Sequence, residues 1–152
     1  MAPAPGPGPA GAPVADADVP AYLASLGVPG IVDVHTHFMA PPIMAKVWAY
    51  FESAGPLLGR EWPIRYRGTD EERVEQLREI GVRRFSVLSY AHRPGIAGFM
   101  NDWTLAFADR MPDALRSATF YPEPEAAGYV PQLVDDGVEV FKVHVQVGDF
   151  SP

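Results

Sequence analysis

Apolar and polar positions repeat along this chain with two periods, and the switches between them mark its elements. Ile31, Val32 and Val34, bounded upstream by Pro29 and Gly30, predict a strand over 30–38. After Pro41 and Pro42, the residues Ile43, Met44, Val47, Trp48 and Phe51 fall on one side of a helix of about three turns. Thr69-Asp70-Glu71-Glu72 is a capping box. It opens a helix whose buried face is Val74, Leu77 and Ile80, and Gly81 stops it. A second strand follows over 82–90, with an almost unbroken apolar middle that suits a parallel sheet covered on both faces. Met100, Trp103 and Phe107 mark the buried side of the next helix, which must end before Pro112. A third strand is predicted over 116–121, a helix over 129–136 ended by Gly137, and a fourth strand over 138–145.

Strand and helix thus alternate, which predicts an α/β fold with four parallel strands and right-handed crossovers. Residues 1–20 are Pro, Ala and Gly with Asp16 and Asp18, too little apolar mass to bury, and predict a disordered tail. A helical turn over 21–26 leads into the first strand, and 21–152 is expected to form one domain.

Composition narrows the chemistry. A net charge of −7 argues against a nucleic-acid partner, which calls for a basic surface. Cysteine is absent, so a bound metal must take nitrogen and oxygen ligands. The first residues lack the basic and apolar segments of a signal peptide, and no run approaches the ~18 apolar residues of a membrane span. A cytoplasmic protein acting on a small molecule is the expectation.

The candidate site residues come from strand parity. Asp33, His35 and His37 share one face of the first strand, so two imidazoles can reach one cation while Asp33 orients one of them from behind. Only four histidines exist in the chain, and two stand in this pair. The competing reading is a strand with two surface histidines. In the fourth strand Lys142 and His144 share a face with Val138 and Val140, while Phe141, Val143 and Val145 should meet helices. Lys142 and His144 are therefore expected to line the same cavity as the histidine pair; a frayed strand with solvated polar groups is the alternative. His92 stands in a loop from which it could face that site or solvent.

The run Asp33-Val34-His35-Thr36-His37-Phe38, followed by Pro41-Pro42, resembles the opening strand of the amidohydrolase superfamily. Its closest likeness is to the amidohydrolase-related group that includes aminocarboxymuconate-semialdehyde decarboxylase. Asn101-Asp102-Trp103, Arg110-Met111-Pro112-Asp113 and Phe141-Lys142-Val143-His144 resemble later parts of the same group. The resemblance implies a metal-dependent (β/α)8 TIM barrel of which this chain carries about the first four strands. It implies His35 and His37 as metal ligands, Asp33 behind them, and Lys142 and His144 as catalytic residues. Arg65 or Arg67 would hold a substrate carboxylate. Zinc is the implied metal, with manganese as the alternative, and Lys142 suggests a carbamylated, metal-bridging variant. The implied reaction is hydrolysis of an amide, ester or lactone; the within-family alternative is non-oxidative decarboxylation. The family's later metal ligands have no counterpart here, so the chain alone is expected to lack an enzyme's turnover, and unpaired strand edges invite a homodimer. A histidinol-phosphatase-type phosphoesterase opens with the same motif but needs more histidines downstream. A non-catalytic fragment or interaction module is the rival from another class.

Overall fold

The computed structural model describes residues 11–61, 63–64 and 67–150. The order is a 3-10 turn at Asp16–Asp18, α1 (Val19–Ser25), β1 (Ile31–Asp33), α2 (Pro41–Ser53), α3 (Gly55–Leu58), α4 (Asp70–Glu79) and β2 (Val82–Ser86). Then come α5 (Ala97–Arg110), β3 (Ala114–Leu115), β4 (Ser117–Thr119), α6 (Ala126–Asp135), β5 (Val140–Lys142) and α7 (Val145–Gly148). The fold is mixed α/β with short parallel strands. No helix among the described residues is long and apolar enough to cross a membrane.

The chain divides into two compact units, one ending at Asp33 but regaining Arg67–Arg84, the other formed by the remainder. In the first unit β1 lies beside β2, and Ile31 N–H donates to the Gly81 carbonyl at 2.9 Å. The capping box forms as expected: Glu72 N–H donates to the Thr69 hydroxyl, and Thr69 N–H to the Glu72 carboxylate. Val74 is fully buried, and Gly81 takes φ +87°, the left-handed geometry that ends a helix. The helix expected over 21–26 begins earlier, at Val19, with Pro20 in its first turn. Of the expected tail, residues 1–10 lie outside the described residues.

The second unit is built on an aromatic centre. The Phe38 ring lies 5.4 Å from Phe85 and 4.8 Å from Phe107, and all three are buried. Rings at such offsets add attraction beyond their buried area. The ladders flanking this centre are short. Phe85 and Ser86 pair with Ala114 and Leu115, while Ser117, Ala118 and Thr119 pair with Val140, Phe141 and Lys142.

Side-chain hydroxyls and one amide complete the bonding that so few ladder rungs leave open. Ser117 Oγ accepts the Val87 N–H at 3.0 Å. Thr119 Oγ1 accepts the Ala91 N–H at 3.0 Å and donates to the Lys142 carbonyl at 2.7 Å. From α5, Asn101 both donates to and accepts from the Thr119 backbone, and Thr104 donates to the Ser117 carbonyl. Each of these side chains is buried, where an unmade bond costs far more than a made one gains.

All four strands differ from their predicted extents; the second stops at Ser86 rather than 90, with Leu88 held beyond it only by an isolated bridge. The first ends at Asp33 because the backbone bends at Val34; pairing resumes only where His37 bridges Leu88 in parallel. The third begins at Ala114 and is interrupted at Arg116, since β3 serves β2 and β4 serves β5. The fourth ends at Lys142, because His144 caps a helix over residues whose alternation had read as strand.

Candidate functional site

The histidine pair is held by the chain that follows β1. Thr36 N–H donates to Ser86 Oγ at 3.1 Å, the Thr36 hydroxyl donates to the Ser86 carbonyl, and Leu88 N–H donates to the Thr36 carbonyl. This clasp fixes the backbone on either side of His37. The His35 and His37 rings come to 5.3 Å, tilted by 58°. Strict strand alternation does not account for that approach, because the bend at Val34 intervenes; the clasp onto Ser86 and Leu88 does.

The His37 ring is itself oriented. Its Nδ1 lies 3.2 Å from the Leu88 carbonyl, an acceptor only, so Nδ1 carries the proton and Nε2 the lone pair. Burial lowers its pKa from 6.5 to about 4, and the charges of His35, Lys142 and His144 push the same way against the Leu88 bond. At neutral pH the ring is therefore uncharged, the form that ligates metals. Asp33, expected behind the pair, is the last residue of β1.

The end of β5 comes to the same place. Lys142 and His144 lie close enough to His37 for their charges to act on it. Phe141 packs instead with Ala118, Leu133 and Val138 and against the Phe120 ring. His144 Nδ1 accepts the Val147 N–H at 3.3 Å as the N-cap of α7, so in the neutral ring its proton sits on Nε2. The two histidines thus present opposite tautomers.

Between them stands Tyr90, which sequence reasoning passed over. Its ring is 5.9 Å from His37, edge-on, and 5.1 Å from His144, and burial raises the pKa of its hydroxyl. One signal for it was present: an aromatic with a polar tip at the end of the second predicted strand, where parallel α/β folds gather their ligand sites.

A cleft of about 720 Å³ opens beside this group. It is lined by Ile43, Lys46, Val47, Tyr50 and Phe51 of α2, by Tyr90, His92 and Met100, and by His144, Gln146 and Val147. His92 is thus brought to the cleft, as an exposed side chain. Arg67 is exposed and belongs to the other unit, and Arg65 lies outside the described residues.

As a metal centre this arrangement supplies two nitrogen donors of the right kind. No group of three or more His, Asp or Glu side chains able to hold a metal occurs among the described residues. The fit therefore covers two ligands. Set against protein-family models, curated proteins and solved structures, the chain matches none of them.

Proposed function

We propose that the chain carries the histidine pair of a metal-dependent hydrolase of the amidohydrolase-related type, on the first strands of a (β/α)8 barrel. The observation that carries this reading is the His37 ring: neutral, anchored at Nδ1 by the Leu88 carbonyl, and beside His35. A backbone carbonyl on one nitrogen orients the other for ligation and raises its basicity. A divalent cation held by His35 and His37, zinc before manganese, would supply a water acidified to about pKa 7 and polarise an amide, ester or lactone carbonyl.

The remaining steps belong to this chain's own groups. His144 Nε2–H can donate to a substrate oxygen as negative charge builds there, and the Lys142 ammonium stabilises that charge. The Tyr90 ring lies against both His37 and His144. The Lys142 ammonium, near enough to act on His37, favours one second reading: non-oxidative decarboxylation of a substrate whose carboxylate it attracts.

The test is metal content by mass spectrometry after loading with zinc or manganese, for the parent chain and the His35→Ala, His37→Ala double variant. Loss of bound metal in the variant is expected, and equal content in both would overturn the reading. A panel of esters, lactones and aromatic acids then separates hydrolase from decarboxylase. Bound metal without turnover of any of them would favour a non-catalytic module.

A further inference from the structure

The cleft beside Tyr90 has a charge pattern that runs against the composition of the chain. Acidic residues outnumber basic ones by 19 to 12, yet no carboxylate lines this cleft among the described residues. Its one permanently charged lining group is Lys46, exposed on α2, and it makes no ion pair among the described residues. Opposite stands His144, whose Nδ1 is taken up by the Val147 N–H, which assigns Nε2 as a hydrogen-bond donor. Lys142, the residue two before it, adds a second ammonium nearby. The rest of the wall is chiefly apolar and aromatic, with Val47, Phe51, Tyr90 and Met100 among its residues. A volume of about 720 Å³ is that of a pocket for a drug-sized molecule.

We propose that this cleft binds a small organic monoanion with an apolar body, its anionic group drawn to Lys46 and the His144 Nε2–H and its body laid against α2 and Tyr90. Apolar burial supplies affinity in such a site, and the few convergent donors supply orientation and selectivity. Exclusion of acidic side chains sharpens the preference, because a cationic ligand finds no counter-charge and a dianion meets only one fully charged lining group. The inference rests on the hydrolytic reading only in calling this ligand a substrate; the binding itself requires no metal.

The experiment uses chelator-treated chain, with 2-naphthoate as the anionic probe and 2-naphthamide as its neutral counterpart, followed by amide-resolved NMR titration. The naphthoate is expected to bind about tenfold more tightly than the amide, the usual worth of one charge-assisted contact. Its shifts should centre on residues 43–51 and 144–147. Lys46→Met should abolish the preference and Lys46→Arg should keep it, and because residue 46 is exposed neither change threatens the fold. His144→Asn retains an acceptor for the α7 cap but replaces the ring Nε2–H with a shorter amide that reaches less far into the cleft, so it should weaken naphthoate about threefold. Equal affinities, a preference that survives Lys46→Met, shifts centred elsewhere, or no binding would each overturn the proposal. A failed metal test with an intact naphthoate preference would remove the hydrolytic reading and leave this one standing.

Discussion

The two strand ends that meet at Tyr90 hold their histidines in opposite ways. After β1, the His37 ring donates to the Leu88 carbonyl, so its outer nitrogen is a base. After β5, the His144 ring accepts the Val147 amide, so its outer nitrogen is a hydrogen-bond donor. The same side chain, within reach of the same tyrosine, is set to two tasks by the backbone group it leans on. A carbonyl makes a ligand of imidazole; an amide makes it a donor. The ends differ in support too, since the first is clasped through Ser86 and Leu88 and the second hangs on the Thr119 hydroxyl.

The largest expected effect tests the first end by pH. The folded pKa of His37, about 4, lies below its ordinary 6.5, so the unfolded chain takes up the proton first. The stability this ring contributes is complete above pH 6.5 and lost as pH falls through the folded value, a span worth about 3 kcal/mol. Urea unfolding of metal-free protein from pH 7 to 4 should show this loss, and His37→Gln should flatten the curve by about that amount. An unchanged slope would mean that the ring is not held neutral.

Thr119→Val tests the support of the second end. It leaves the Ala91 N–H and the Lys142 carbonyl without the hydroxyl that served both, at a site with no exposure. A loss of about 2 kcal/mol is expected by thermal or urea unfolding. Hydrogen exchange should quicken first at residues 140–147.

The smallest effect falls on His144 itself. His144→Ala removes the N-cap of a four-residue helix and should cost about 1 kcal/mol, with His144→Asn recovering most of it. Nitrogen-15 shifts of the two imidazoles at neutral pH sharpen the comparison directly, with Nδ1–H expected at His37 and Nε2–H at His144. Matching tautomers would dissolve the contrast.

Much of the architecture was legible from local chemistry. The Thr69 capping box, the Gly81 stop, the helix after Pro41-Pro42 and the strand–helix alternation depend on neighbours in sequence, and they formed where expected. The strand ends were not legible. Alternation from Val138 to Val145 satisfies a strand as well as it does the observed strand and cap, and histidine is not among the residues that ordinarily announce an N-cap. The approach of His35 to His37 was anticipated from parity, whereas a bend and a clasp fifty residues away in sequence produce it. The Ser117–Val87, Thr119–Ala91 and Asn101–Thr119 bonds join residues whose nearness is set by the sheet, and no local pattern records them.

Those buried hydroxyls and amides bear on how the protein responds to temperature. Ser86, Ser89, Asn101, Thr104, Ser117 and Thr119 are all hidden in the folded state and meet water together when it unfolds. Apolar surface raises the heat capacity on exposure and polar surface lowers it. The second unit should therefore unfold with a smaller heat-capacity increment than a core of equal size built from aliphatic side chains. Its stability curve should be correspondingly shallower than that of such a core.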